Sequence, residues 1–251
     1  MNQLDRVQKL LDSGADINAR SRDSATLLHH AIHQSNPSMA ALLISKGANI
    51  EEVDRHGLTP LLLAVQNGQE QLVKILLDVD AQIEASDFGG RTALILAAHY
   101  GRETIVRILL DRRANIEARD SEHKSTPLVH AAAKGYPAIV ETLLLAGADV
   151  GARFEFQGTA LMVAAENDRR TVVDLLLLRG ADLEACNDVG YNALLLAVGR
   201  GHVEMAELLL ARGADGNVRN VSRETVFELA AGKKRMLQML SGRVKPEDAR
   251  D

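Results

Sequence analysis

The sequence predicts an all-α fold, a solenoid of stacked helix-turn-helix units whose ends are short β-hairpin or loop tips. The segment "TLLH" at Thr26 returns six times, as TPLL, TALI, TPLV, TALM, NALL and TVFE, at intervals of 33 or 34 residues. Each copy is followed by small residues, a short break, an apolar run such as "VKILL" and a close such as "GADLEA". A period this regular is typical of repeats that stack on one another, and it argues against separate globular domains.

Composition narrows the class of protein. Hydrophobic residues make up 46% and charged residues 25% of the 251-residue chain, and no Trp is present, so the core must consist of Leu, Ala, Val and Ile. The net charge of -5 predicts neither nucleic acid nor membrane as a partner. The single cysteine, Cys186, excludes an internal disulfide and indicates a reducing compartment. Because the N-terminus also lacks an apolar signal sequence, we expect an intracellular protein in the cytoplasm or the nucleus.

The first helix of each repeat has a recognisable start. Thr59 and Thr126 are favourable N-cap residues, and Pro60 and Pro127 follow at the first helical position, where a missing N–H group costs nothing. Pairs of alanines such as Ala97-Ala98 allow this helix to approach its neighbours closely. The pattern therefore predicts short first helices that pack against each other.

Glycines separate the helices, and apolar spacing identifies the second helix. We expect a left-handed turn residue between the two helices at Gly68, Gly101, Gly135 and Gly201. Apolar residues then recur at intervals of three and four, as in the run from Leu72 to Leu77, which predicts an amphipathic helix. A further set of glycines ends the second helix and leads into the tip: Gly47, Gly147, Gly180 and Gly213.

The segment "DRHGLTPLLLAVQNGQEQLVKILL" from Asp54 resembles the ankyrin repeat, and the resemblance covers nearly the whole chain. The histidine that this family often carries after "TPL" occurs only as His29, for which the resemblance implies a hydrogen bond to the tip. The chain is predicted to be one domain, 1–251, with a half repeat at 1–20, a degenerate cap at 220–242 and a charged tail at 243–251 that we expect to fray. Six full repeats lie between them, at 21–53, 54–86, 87–120, 121–153, 154–186 and 187–219.

The resemblance also implies where a partner binds. In ankyrin repeats the tips and first helices line a concave face. Of the seven aromatic residues of this chain, four fall on the variable positions of that face and a fifth lies in a tip beside them. Interfaces favour aromatic residues and arginine. The predicted binding residues are Arg55, His56, Phe88, Arg91, His99, Tyr100, Lys134, Phe156, Glu166, Tyr191 and Arg200.

The function that follows is a scaffold that recognises a protein partner through this face. We expect a monomer that is not an enzyme and has no catalytic residue, no cofactor and no metal. One alternative is a small-molecule binder or enzyme in the same groove, with His99, Tyr100, Glu166 and Arg200 as its polar groups. The other is the recognition arm of a larger signalling or adaptor protein.

Three smaller features leave alternatives open. The stretch "RFEFQG" contains two of the four Phe, and strand-like alternation would place both on one face; we expect Phe156 to face the groove and Phe154 to pack locally. His29 and His33 lie one helical turn apart, so they could share a metal, although no third ligand is near in sequence. Cys186 is either a reactive thiol or a residue without a role.

Overall fold

The computed structural model describes residues 3–244. The chain divides into two compact units, Met1–Glu122 and His123–Asp251, and the boundary falls in the tip before the fourth full repeat. In the first unit the described residues form α1 to α7, namely Gln3–Asp12, Leu27–His33, Pro37–Ser45, Pro60–Asn67, Glu70–Asp78, Ala93–His99 and Glu103–Asp111. In the second unit they form α8 to α15, namely Pro127–Lys134, Pro137–Leu145, Ala160–Glu166, Arg170–Leu178, Ala193–Arg200, Val203–Ala211, Val226–Leu229 and Lys234–Arg243. The all-α fold is therefore confirmed.

The predicted capping residues start the first helices. The Thr59 hydroxyl accepts a hydrogen bond from the N–H of Leu62 at 3.3 Å, and the Asn192 amide oxygen accepts one from Leu195 at 3.0 Å. Gly68 closes α4 in the left-handed region, at φ 74°, where an L side chain would be strained. The sequence signals for the start and end of these helices are thus confirmed by geometry.

Within each unit the core lies between successive helix pairs. First helices pack against first helices, α2 on α4 on α6 and α8 on α10 on α12 on α14. Alanines such as Ala97, Ala131, Ala164 and Ala197 are fully buried at these contacts. Second helices contribute larger side chains to the same layer, such as Leu76 and Leu176, which are also fully buried. One helix pair could not bury these apolar faces alone, so the stacking of neighbours creates the core.

The two ends of the described chain differ. In the first unit α1 precedes the first tip, which is the place that a second helix takes in the later repeats. At the C-terminal end the short α14 and α15 form the cap, and Val244, only 5% exposed, packs against Gly216. In the structure α15 extends to Arg243, and the residues of the predicted tail after Val244 lie outside the described residues.

The tips are loops. Within residues 3–244 no extended strand forms, and two isolated antiparallel bridges, Ser86 with Thr92 and Arg219 with Thr225, are the only β pairings. None of the helices in this part of the chain is long and apolar enough to span a membrane.

Candidate functional site

An acidic or amide side chain organises most of the tips. The Asp54 carboxylate accepts hydrogen bonds from the N–H groups of His56 and Leu58, and Asn187 does the same for Val189 and Tyr191. Asp87 repeats this arrangement with two further N–H groups of its own tip. Because these side chains satisfy the backbone, they hold the tips in one conformation.

The stretch "RFEFQG" forms a tip of a different kind. Phe154 stands where most other tips carry Asp or Asn, and Arg153 donates from Nη1 to the carbonyls of Gln157 and Cys186, both at 2.7 Å. Glu155–Gln157 form a single 3₁₀ turn, so the expected strand-like alternation is wrong. The physical reason is that two consecutive left-handed residues, Phe156 (φ 56°) and Gln157 (φ 59°), turn the backbone here, so the side chains cannot alternate as in a strand.

The two phenylalanines of this tip have separate environments. The Phe154 ring lies against Gly158, where a Cβ atom would be 2.5 Å from Cζ, so Phe154 packs locally as expected. Phe156 has 68% of its surface exposed. A non-glycine residue in the left-handed region costs about 1 kcal/mol or more of folding free energy, and Phe156 is such a residue.

In the first unit the predicted residues cluster at two tips and one helix end. Phe88 is 74% exposed, and its ring edge contacts Gly57 of the preceding tip. His99 and Tyr100 pack edge to face with their ring centroids 5.0 Å apart. Arg55 pairs with Asp23 at 2.7 Å and donates to the His56 ring at 3.0 Å. These contacts fix the positions of the side chains while leaving Phe88 open to solvent.

Arg91 differs from its neighbours in the predicted set. Its guanidinium lies 2.6 Å from the carboxylate of Asp87, a side chain that is only 2% exposed. Asp87 is the residue that holds this tip together, so Arg91 supports the tip as well as lying beside it.

In the second unit the predicted residues lie at tips and at the ends of first helices. Arg200 forms an ion pair with Glu166, while Lys134 is exposed and has no carboxylate within ion-pair distance in the described part of the chain. Tyr191 is half-buried, with its hydroxyl 3.5 Å from Glu224. Phe156 lies two tips away from the cap. Its carbonyl accepts a hydrogen bond at 3.0 Å from the N–H of Asp188, which belongs to the next tip.

Two tip residues that the sequence did not single out extend this surface. Val189 and Val221 are 50% and 68% exposed, and the Val221 N–H donates to the Val189 carbonyl at 3.2 Å. Together with Phe156 they form a row of exposed apolar side chains on consecutive tips. The alignment of the repeats contains this signal, since all three residues occupy the first or second position after the residue that is Asp or Asn in most tips.

His29 is a structural residue. Its Nδ1 accepts from the Thr26 N–H at 3.2 Å, its Nε2 lies 3.0 Å from the Leu58 carbonyl, and the side chain is fully buried. Both ring nitrogens are therefore engaged, which leaves none for a metal, and the hydrogen bond to the tip is the one implied by the resemblance. In the described residues no group of three His, Cys, Asp or Glu side chains could hold a metal ion.

His29 should make stability depend on pH. Burial lowers its pKa from the ordinary 6.5, and a proton on Nδ1 would face the Thr26 N–H. The unfolded chain therefore takes up this proton at a higher pH than the folded chain, so the stability contributed by neutral His29 is present above pH 6.5 and is lost as the pH falls through 6.5 towards the lowered value. We expect urea unfolding at pH 7.5 and 5.5 to show a smaller loss for His29→Gln than for wild type.

Exposed His30 provides the matched control for that measurement. The His30→Gln variant should lose as much stability as wild type over the same interval. Equal losses in all three proteins would contradict a titrating role for His29.

Cys186 is an exposed free thiol whose pKa is raised. Burial, and next the charge of Glu184, raise its pKa, and its Sγ lies 3.3 Å from the Glu184 carbonyl. Since the thiolate is the nucleophilic form, a raised pKa lowers reactivity at neutral pH. The structure thus favours a residue without a chemical role.

Several grooves of the second unit do not coincide with the predicted binding residues. Three of them, with volumes of about 620, 670 and 660 Å³, lie along the second helices and the turns of the second unit, and all three are open to solvent. None of the eleven predicted residues lines them. The grooves therefore give no support to a small-molecule site formed by His99, Tyr100, Glu166 and Arg200.

Comparisons with known proteins agree with this architecture. The family "Ankyrin repeats (3 copies)" matches residues 1–87, 79–154 and 161–246. The crystal structure of the human ASB11 ankyrin repeat domain is 27% identical, with a TM-score of 0.81 over 89% of this chain and 100% of that one. The ankyrin repeat domain of Bcl-3, described as a unique member of the IkappaB protein family, is 31% identical, with a TM-score of 0.74 over 88% of this chain and 100% of that one. Among curated proteins, no sequence matches significantly. With a family match that extends over most of its length, the chain belongs to the ankyrin-repeat family.

Proposed function

We propose that the chain is a binding module that captures a protein partner through its tips and its first helices. Ankyrin-repeat domains generally mediate protein–protein interactions. The observation that carries the proposal for this surface is the exposure of two aromatic side chains, Phe88 at 74% and Phe156 at 68%, on tips whose backbones are fixed by hydrogen bonds. We further propose that the module acts as a monomer inside the cell.

The energetics of these tips favour a partner over solvent. Covering one exposed phenylalanine gains about 1.5 to 3 kcal/mol, and the exposed Val189 and Val221 add to the same apolar row. Because the tips are already ordered, binding does not have to order them, which is the main cost that reduces affinity at flexible surfaces. The site is therefore suited to recognition by complementary shape, and no chemical step is required of it.

The test compares capture of partners by wild type and by tip variants. Phe88→Ala with Phe156→Ala removes the two exposed rings, and adding Tyr100→Ala and Tyr191→Ala completes the aromatic set. We expect the double variant to have at least tenfold lower affinity for the captured partner and the quadruple variant to abolish capture, since aromatic anchors dominate interface energies. Affinity is measured by titration calorimetry with the partner identified by capture on wild type.

A matched control removes equally exposed apolar area elsewhere. Leu145 and Leu178 are 73% and 79% exposed at the C-terminal ends of the second helices α9 and α11, outside the tip segments. The Leu145→Ala, Leu178→Ala variant should bind as wild type does. The proposal fails if the tip variants retain affinity while circular dichroism shows that they are folded, or if the control loses as much.

A further inference from the structure

The turns between the two helices of each repeat carry opposite charge in the two units. Each turn spans four residues around a left-handed residue such as Ser35, Gly135, Asp168 or Gly232. In the first unit the turns hold Arg102 together with two carboxylates, Glu70 and Glu103. In the second unit the turns are 134–137, 167–170, 200–203 and 231–234. They contain Lys134, Arg169, Arg170, Arg200, Lys233 and Lys234 against a single carboxylate, Asp168, a net charge of +5. We call these four turns the basic turn edge.

Neighbouring turns of this edge contact one another. The Arg169 side chain lies across Gly135, where a Cβ atom would be 2.6 Å from Cδ, and its Nε donates to the Ala133 carbonyl at 3.1 Å. His202 reaches back in the same way to the Glu166 carbonyl at 2.9 Å. Next to it, the Lys233 stem lies 3.6 Å from the Cβ position of Gly201. The cations are therefore held side by side along one edge of the second unit.

Internal ion pairs neutralise only part of this charge. Arg200 pairs with Glu166, and Arg170 lies 3.5 Å from Asp168. Beside the edge, the pKa of Glu204 is lowered by a hydrogen bond with its own backbone and then by the charges of Arg235 and Arg170. The remaining four cations have no carboxylate within ion-pair distance among residues 3–244: Lys134, Arg169, Lys233 and Lys234.

Local helix stability does not explain these cations. Arg170 and Lys234 are the first residues of α11 and α15, where the helix dipole disfavours positive charge. Glu70 and Glu103 occupy the same position of α5 and α7, as the dipole prefers. Asp168 offsets this cost for Arg170, whereas Lys234 has no carboxylate within ion-pair distance among the described residues, and such an uncompensated position is one where function is expected.

We propose that the basic turn edge of the second unit binds an acidic segment of a protein partner. This inference rests on the proposed protein-binding function and names the chemistry of the partner. Since the chain carries -5 and the edge +5, all other residues together carry -10. A long polyanion such as duplex nucleic acid would also face that negative surface, whereas a short peptide feels mainly the charges within a Debye length of about 8 Å.

The test uses a dye-labelled peptide of twelve alternating Glu and Ser residues, with fluorescence anisotropy at 50 and 150 mM salt. The variant Lys134→Glu with Lys234→Glu reverses the charge of two exposed side chains. Because these side chains make no hydrogen bonds within the described residues, folding should be unaffected. We expect wild type to bind the peptide, and to bind it more weakly at the higher salt. The variant should bind the peptide with about tenfold lower affinity than wild type does. A Lys-Ser peptide of the same length should not bind.

The matched control reverses the charge of Lys9 and Lys74, which are exposed on α1 and α5. The two substitutions to Glu change the net charge by the same amount as in the test variant. The control should bind the acidic peptide as wild type does. Equal losses in the two variants, or no binding by wild type, would overturn the inference, and so would tighter binding of a 12-base-pair DNA duplex than of the peptide. If Lys134→Glu with Lys234→Glu still captures the native partner while the aromatic variants do not, the basic turn edge is wrong and the tip surface stands.

Discussion

Replacing Leu176 with alanine is expected to lower the free energy of unfolding by about 2 to 5 kcal/mol. Leu176 lies in the middle of α11 and is fully buried between the helix pairs of the second unit. Truncation removes its apolar contacts and leaves a cavity that neighbouring backbones, tied together by stacking on both sides, cannot collapse to fill. Urea unfolding followed by circular dichroism measures the change.

Leu178 on the same helix is the control for that substitution. It is 79% exposed, so Leu178→Ala makes the same chemical change with almost no loss of buried area and should alter stability by no more than about 0.5 kcal/mol. Each repeat contacts only its neighbours, so the Leu176 variant should also broaden the transition as the second unit loses coupling between its layers. Similar losses for the two variants would contradict the burial pattern.

Gly190→Ala is expected to destabilise the tips of the second unit by more than a left-handed conformation alone can explain. Gly190 has a φ of 77°, and a Cβ atom there would lie 2.8 Å from the backbone nitrogen of Val221. The left-handed conformation costs about 1 to 2 kcal/mol for an alanine. The clash should add about 1 to 3 kcal/mol, because the obstacle is backbone and cannot turn away as a side chain could.

Gly180 separates these two contributions. Its φ of 86° is similar, but nothing lies within 4 Å of its Cβ position, so Gly180→Ala should show only the conformational cost. Thermal unfolding of the two variants gives the difference. Equal melting temperatures would show that the tips yield easily, which would also weaken the argument that they are preorganised for binding.

The sequence was sufficient where a residue acts on the backbone close to it in the chain. Thr59 starts α4 and Gly68 ends it because capping and left-handed turns are local requirements that any neighbour must respect. The stacking partner of each repeat also followed from the period, since identical units bury the same face in the same way. The assignment of Phe154 to local packing belongs here as well, because its position in the repeat is that of a tip-organising residue.

The sequence was insufficient where a residue acts through a neighbour 33 positions away. The "RFEFQG" tip was expected to alternate like a strand, but Arg153 closes it as a 3₁₀ turn by bonding to the Cys186 carbonyl of the next tip. At shorter range, the sequence also does not show that the charge of Arg91 is paired with Asp87, the carboxylate that holds the same tip. The basic turn edge was missed because its cations belong to four separate repeats and become one surface only when the repeats stack.

The sequence by itself determined that this protein is an ankyrin-repeat solenoid, because period, caps and turns are repeated local signals that reinforce one another. Only the tertiary structure decided which side chains remain open to a partner. Exposure depends on what the next repeat places against a residue: Phe88 and Phe156 stay uncovered, Arg200 finds Glu166, and Lys134 finds no carboxylate among the described residues. That outcome is a property of pairs of repeats, and no single repeat encodes it.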